Sequence, residues 1–171
     1  VKVHYTRKYL RSIREAQCIN REVGAKGSVK QNRGQRTKLD AKAFEKGVKL
    51  ESNIDENIKF NFDSYSINEL VEILLDNALK HADKKSTIVV SLKEQGNNIL
   101  LSVTDTGDII PKGEEERIFE RFYRLDKSRS RKENRYGLGL AIAKNIVLNH
   151  NGKISVESVG KVTTFKVLFK K

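Results

Sequence analysis

At 171 residues, with 37% hydrophobic and 33% charged residues, the chain is long enough for one well-buried domain and a short appendage, and too short for two full domains with a linker. No run approaches the roughly 20 apolar residues that cross a bilayer, and the single cysteine, Cys18, excludes an internal disulfide. The net charge of +12 does not mark the body as a nucleic-acid binder, because residues 1–50 hold 14 Lys/Arg against 4 Asp/Glu and the rest is nearly neutral. A reducing, cytoplasmic setting is expected and, with no Met anywhere, a piece of a longer protein.

In chain order, residues 1–37 read as a basic tail or connecting helix, interrupted by Gly24, Gly27 and Gly34. A short helix is expected over Lys38–Lys46, stopped by Gly47. Val48-Lys49-Leu50-Glu51 and Ile58-Lys59-Phe60-Asn61-Phe62 alternate with the period of half-buried strands. Ser66 with Glu69 three residues on reads as a capping box, opening a helix to Ala82. Its apolar positions, Ile67, Leu70, Val71, Leu74, Leu75, Ala78, Leu79 and Ala82, form one broad face.

Strands Thr87–Leu92 and Ile99–Thr104 flank Gly96-Asn97-Asn98, the pattern of a hairpin. A long charged segment follows to about Tyr136, in which Phe119 and Phe122 are the expected anchors to the core. A helix over Leu138–His150, an Asn151-Gly152 turn and strands Ile154–Glu157 and Thr163–Phe169 complete the chain. Strands and helices thus segregate into a two-layer α/β sandwich with at least two antiparallel pairs.

Three motifs carry chemistry, and each has an ordinary reading beside the functional one. In Asp76-Asn77-Ala78-Leu79-Lys80-His81 the Asn77 amide oxygen suits Mg²⁺, which takes few protein ligands, and Lys80 and His81 follow one turn on. The same residues serve equally as a solvated rim. In Asp105-Thr106-Gly107-Asp108-Ile109-Ile110-Pro111 a carboxylate at a strand end can accept from an adenine amino group, and Gly107 permits close backbone approach; Asp-Thr-Gly is also a common turn. In Tyr136-Gly137-Leu138-Gly139-Leu140, glycines before a helix expose amides that attract phosphate, or act as hinges. Between the last two motifs, Arg117-Ile118-Phe119-Glu120-Arg121-Phe122-Tyr123-Arg124 presents Arg124 to phosphate charge.

Taken together over roughly 38–171, this order resembles the N box, first glycine box, F box and second glycine box of two-component sensor histidine kinases. The resemblance implies the Bergerat (GHKL) ATP-binding fold: a mixed, mostly antiparallel sheet with helices on one face. It implies ATP and Mg²⁺ as cofactors, with Asn77 holding the metal, Lys80 and Arg124 on the phosphates, and His81 beside the nucleotide. Asp105 would select adenine, Gly107, Gly137 and Gly139 would shape the pocket, and Tyr123 and Leu138 would complete the nucleotide-binding set. The γ-phosphoryl group would pass to a histidine on a separate dimerising helical domain, then to the receiver domain of a response regulator. The parent would be a membrane-bound homodimer and this piece a monomer, with no nucleic-acid partner.

Ile109 stands where a second glycine is usual, so the loop must take another path or the pocket must narrow. Arg135 stands where the second box commonly has a further glycine. Ile73, four residues before Asn77, removes the carboxylate with which related hydrolases activate water, favouring transfer over hydrolysis. None of His4, His81 and His150 has the residues that follow a phosphoacceptor histidine in the family. A module that binds nucleotide or a partner without phosphotransfer is the alternative.

Overall fold

The computed structural model describes residues 33–55, 58, 63–125 and 137–171. Residues 1–32 of the expected tail and most of the second alternating run lie outside these residues, as do Arg135 and Tyr136, while residues 33–37 of that tail are helical. Helix α1 spans Arg33–Lys46, starting five residues upstream of the expected Lys38. It stops as expected at Gly47, whose φ of +66° needs no Cβ. Gly47 N–H donates to Phe44 O (3.0 Å) and Val48 N–H to Ala43 O (2.9 Å), the paired bonds of a Schellman stop.

Strand β1 (Lys49–Ile54) leads to helix α2 (Ser64–His81). The cap of α2 corrects the expectation: Asp63, not Ser66, is the N-cap, and its carboxylate accepts from Ser66 N–H at 2.8 Å. Both residue types cap well, but Asp63 also sets a negative charge on the positive end of the helix and adds most of a turn. Hydrogen bonds from the Ser66 hydroxyl and amide hold the Asp63 carboxyl below its ordinary pKa.

Strands β2 (Thr87–Gln95) and β3 (Asn98–Thr106) form the expected hairpin around Gly96, whose φ is +58°. A short 3₁₀ turn, Arg117–Phe119, interrupts the charged segment. Helix α3 (Gly139–Asn149) and the hairpin of β4 (Lys153–Val159) and β5 (Val162–Lys170) end the fold. Asn151 takes the left-handed position that closes α3, with φ +54°.

The sheet order is β1-β2-β3-β5-β4, with β1 and β2 parallel and the other pairs antiparallel. The parallel pair follows from the connection, since β1 reaches β2 through a helical crossover rather than a tight turn. Alternation supplies the core. Ile88, Val90 and Leu92 on β2, Ile99, Leu101 and Val103 on β3, and Phe165, Val167 and Phe169 on β5 are all buried. Against them pack Leu70, Val71, Leu74 and Ala78 of α2 and Ala143, Ile146 and Val147 of α3. The opposite rows, such as Ser91, Ser102 and Lys166 in register, are polar and partly exposed.

The charged segment is anchored by one of the two expected aromatics. Phe119 is buried, its ring edge-on to Phe165 with centroids 6.2 Å apart. Phe122 is 68% exposed, and Ile118 provides the second anchor. The reason is the backbone: Phe122 has φ +64°, which turns its side chain away from the face that Ile118 and Phe119 share.

Candidate functional site

The last two turns of α2 gather the motifs. Asn77 is partly buried, one position off the fully buried Ala78, and its side chain makes no hydrogen bond with the described residues. Lys80 is exposed, and His81 Nδ1 lies 3.0 Å from Asp108 Oδ2 in the loop after β3. The first glycine motif therefore reaches α2 directly.

Asp105 sits at the end of the inward row Ile99-Leu101-Val103 and is 2% exposed. Its Oδ1 is buried with no hydrogen-bond partner, a costly state for a carboxyl group. Burial, with the Asp108 carboxylate second, pushes its pKa up to about 7 against the pull of Lys46; Asp83 raises it further. A buried acceptor lacking a donor fits a ligand that brings one, and the exocyclic amino group of adenine is such a donor.

Gly107 is placed by packing rather than by turn geometry. Its N–H donates to Lys161 O at 2.8 Å, and Asp108 N–H donates to His81 O at 3.1 Å. A Cβ on Gly107 would stand 2.1 Å from His81 O, so this close approach is to the end of α2. Ile109 is 55% exposed and does not take a left-handed backbone, so the loop follows another path, as its side chain requires. That path is pinned from the β4–β5 hairpin. Ile110 N–H donates to Ser158 Oγ (3.2 Å), Ser158 Oγ lies 3.0 Å from Thr163 Oγ1, and Thr163 Oγ1 donates to Asp108 O (3.3 Å).

The second glycine motif meets α2 about two turns earlier. A Cβ on Gly139 would lie 3.5 Å from Ile73 Cγ2, so the start of α3 packs beside the residue four before Asn77. Gly137, with φ +65°, accepts from Phe122 N–H at 3.1 Å, and its missing Cβ faces Tyr123 O at 3.0 Å. Tyr123 is held in turn, because its hydroxyl donates to Glu114 and Arg117 lies over its ring at 4.6 Å. The bond to Glu114 raises the Tyr123 pKa. Arg124 follows, partly exposed. Leu138 precedes α3 and accepts from Ile142 N–H at 2.9 Å.

Segment 73–82 of α2 is thus flanked by Gly139 at one end and by Gly107 and Asp108 at the other, with Asn77 between. A separate open groove of about 320 Å³, lined by Arg121, Phe122, Leu138, Ala141, Ile142 and Asn145, contains Leu138 alone of the expected residues. Asp105, with its unpartnered Oδ1, does not line that groove. No cluster of three or more His, Cys, Asp or Glu with metal-holding geometry occurs among the described residues. Mg²⁺ at Asn77 therefore fits only as an ion completed by water and phosphate oxygens.

Two participants escaped the sequence reading. Thr163 is buried in register with Asp105, and its signal is a hydroxyl heading the inward row Thr163-Phe165-Val167-Phe169. Lys46 of α1 donates to Lys80 O (2.7 Å) and Ala82 O (3.1 Å), an arrangement with no local signal.

The sequence profile described as histidine kinase-, DNA gyrase B-, and HSP90-like ATPase matches residues 62–171. The signal transduction histidine-protein kinase ArlS of Staphylococcus haemolyticus is 43% identical over 107 residues, 62% of this chain and 24% of that protein. The chain thus spans about a quarter of the length of this curated relative. The catalytic domain of histidine kinase ThkA superposes with a TM-score of 0.68 at 22% identity, covering 80% of this chain and 88% of that one. ThkA in complex with the response regulator protein TrrA gives 0.66 at 21% identity, covering 80% and 38%.

Proposed function

This chain belongs to the histidine kinase-, DNA gyrase B-, and HSP90-like ATPase family, and from that premise we propose that it is the catalytic domain of a sensor histidine kinase. In this reading residues 38–171 bind ATP and pass its γ-phosphoryl group to a histidine on a separate dimerisation domain. The observation that carries it is Asp105, a buried carboxyl with an unpartnered oxygen beside the α2 segment that bears Asn77, Lys80 and His81.

Asp105 accepts from the adenine amino group, and Gly107 fixes the loop that places it. His81, oriented by Asp108, lies along the nucleotide. The amides after Gly137 and Leu138 point from the start of α3 toward phosphate oxygens, where the helix dipole favours negative charge. Lys80 and Arg124 neutralise that charge, while Tyr123, clamped by Glu114, fixes the backbone that leads into Arg124. Mg²⁺, when bound through Asn77, supplies further charge neutralisation on the phosphates. The acceptor imidazole nitrogen forms the new N–P bond as the bond from γ-phosphorus to the bridging oxygen breaks, with ADP leaving. Apolar Ile73 against Gly139 gives water no base at that point, which favours transfer over hydrolysis.

Neither described histidine suits the acceptor role. His81 is engaged by Asp108, and His150 Nδ1 lies 2.7 Å from Ile146 O at the end of α3. The partners are then the dimerisation and phosphotransfer domain of the same parent and a response regulator receiver domain; a regulator complex of ThkA supports the latter. The parent is a membrane-bound homodimer, although no helix among the described residues is long and apolar enough to cross a membrane.

Calorimetric titration of ATP with and without Mg²⁺, on the intact chain and on Asn77→Ala, tests the reading. Binding that depends on Mg²⁺ and is lost in Asn77→Ala supports it, whereas binding indifferent to both removes the metal role. The second reading, a nucleotide-binding module without turnover, is motivated by the three departures from the usual motifs, Ile109, Arg135 and Ile73. It stands if labelled ATP binds but no label reaches an added acceptor domain.

A further inference from the structure

The loop after β3 bears Ile109, whose backbone stays outside the left-handed region, and the polar backbone groups on either side of it must find partners elsewhere. The β4–β5 hairpin supplies them through two hydroxyls of one register pair, Ser158 and Thr163. Ile110 N–H donates to Ser158 Oγ, Ser158 Oγ meets Thr163 Oγ1, and Thr163 Oγ1 donates to Asp108 O.

The direction of this relay follows from counting protons. A carbonyl oxygen only accepts, so the single hydroxyl proton of Thr163 goes to Asp108 O. The 3.0 Å contact between the hydroxyls is then Ser158 donating to Thr163, which leaves a Ser158 lone pair for the Ile110 amide. Each hydroxyl gives one bond and takes one, and the ring closes on the two residues that flank Ile109.

Asp108 carries the effect to α2. Its N–H donates to His81 O at 3.1 Å, and its Oδ2 lies 3.0 Å from His81 Nδ1. The Asp108 side chain is 56% exposed, so little packing holds it, and its aim at the imidazole depends on where its backbone is fixed. Thr163, the middle of the relay, is buried, while Ser158 is half-buried and lies in none of the nucleotide motifs.

We propose that Ser158 is a positioning residue for the nucleotide site, its hydroxyl acting through Thr163 to fix Asp108 and so to hold the His81 imidazole along the nucleotide. The proposal rests on the nucleotide reading given above. It gives the β4–β5 hairpin a hold on ligand affinity, and it explains how a loop with Ile109 in place of a second glycine keeps a defined path. Loss of the hydroxyl is compatible with folding, because Ser158 stays in register with Thr163 and Gly107 N–H still donates to Lys161 O at 2.8 Å.

The test uses the full chain with Ser158→Ala and Ser158→Thr, and with Ser158→Ala added to Asp108→Ala. ATP·Mg²⁺ is titrated by calorimetry, and hydrogen exchange of the Ile110 amide is followed by NMR without nucleotide. Ser158→Ala is expected to weaken ATP binding about fivefold, the equivalent of one lost hydrogen bond, and to speed Ile110 exchange. Ser158→Thr, which keeps the hydroxyl, restores both. In the Asp108→Ala background, where the link to His81 is already cut, Ser158→Ala weakens binding less than about twofold.

Rapid Ile110 exchange in the wild-type chain overturns the proposal without recourse to any variant. Equal losses from Ser158→Ala in both backgrounds, or a loss that Ser158→Thr does not restore, leave Ser158 a structural residue of the hairpin and also overturn it. If the wild-type chain binds no ATP, the nucleotide reading itself fails. If it binds ATP and Ser158→Ala binds identically, the inference alone fails.

Discussion

Gly107 rests directly on the carbonyl of His81: a Cβ added at Gly107 would stand 2.1 Å from that oxygen and 2.9 Å from Ala82 Cα. Both atoms belong to the backbone at the end of α2, so neither can swing aside as a flexible side chain would. Gly107→Ala is expected to cost about 2–3 kcal/mol of stability. It should also weaken ATP binding, because the loop that positions Asp105 is displaced from α2. Urea unfolding and ATP titration of the variant check this; unchanged stability would mean that the loop and helix do not touch as described.

Asp105 makes stability and affinity respond to pH in opposite senses. Its folded pKa of about 7 lies above its ordinary value of 3.8, so the native state holds a proton that the unfolded chain releases. That contribution to stability is fully present below the ordinary pKa and is lost as pH rises through about 7. Without nucleotide, Asp105→Asn should therefore flatten the pH dependence of the melting temperature between pH 4 and pH 7. ATP affinity, which needs the ionised acceptor, should instead rise across pH 7 in the wild type and lose that dependence in Asp105→Asn. Parallel trends in the two measurements would show that Asp105 is not the group involved.

Phe122 keeps a left-handed backbone with an exposed side chain, a combination whose cost is not recovered by burial. Phe122→Gly is expected to leave stability unchanged or to raise it by about 1 kcal/mol, while Phe122→Ala lowers or preserves it. The midpoints of denaturant unfolding for the two variants distinguish these outcomes. A loss in both would show that the ring packs on something the φ angle alone does not reveal.

The start of α2 offers a choice between two capping residues that mutation can separate. Asp63→Ala should cost about 1 kcal/mol, because it removes the acceptor for Ser66 N–H and the charge at the helix start. Ser66→Ala should cost less, since the amide that makes the capping bond remains. Thermal melts of the two variants read the difference, and a larger loss for Ser66→Ala would restore the cap to Ser66.

Much of the fold was legible because its causes are local. The broad face of α2, the Gly47 stop, the Gly96 hairpin and the alternation in β2, β3 and β5 depend on residues within a few positions of one another. Errors arose where two local solutions compete, as with Asp63 and Ser66, or where a strained φ overrules a hydrophobic pattern, as at Phe122.

The order of motifs along the chain was enough to place the protein in its family and to single out Asn77, Asp105 and the glycines as candidates. Only the tertiary structure decided that Asp105 is buried with an unpaired oxygen, that Gly107 serves the α2 contact, and that Thr163 and Lys46 belong beside it. Desolvation and charge coupling arise from groups as far apart in sequence as Lys46 and Asp105, a separation of 59 positions, and periodicity, which reports only near neighbours, contains no trace of them.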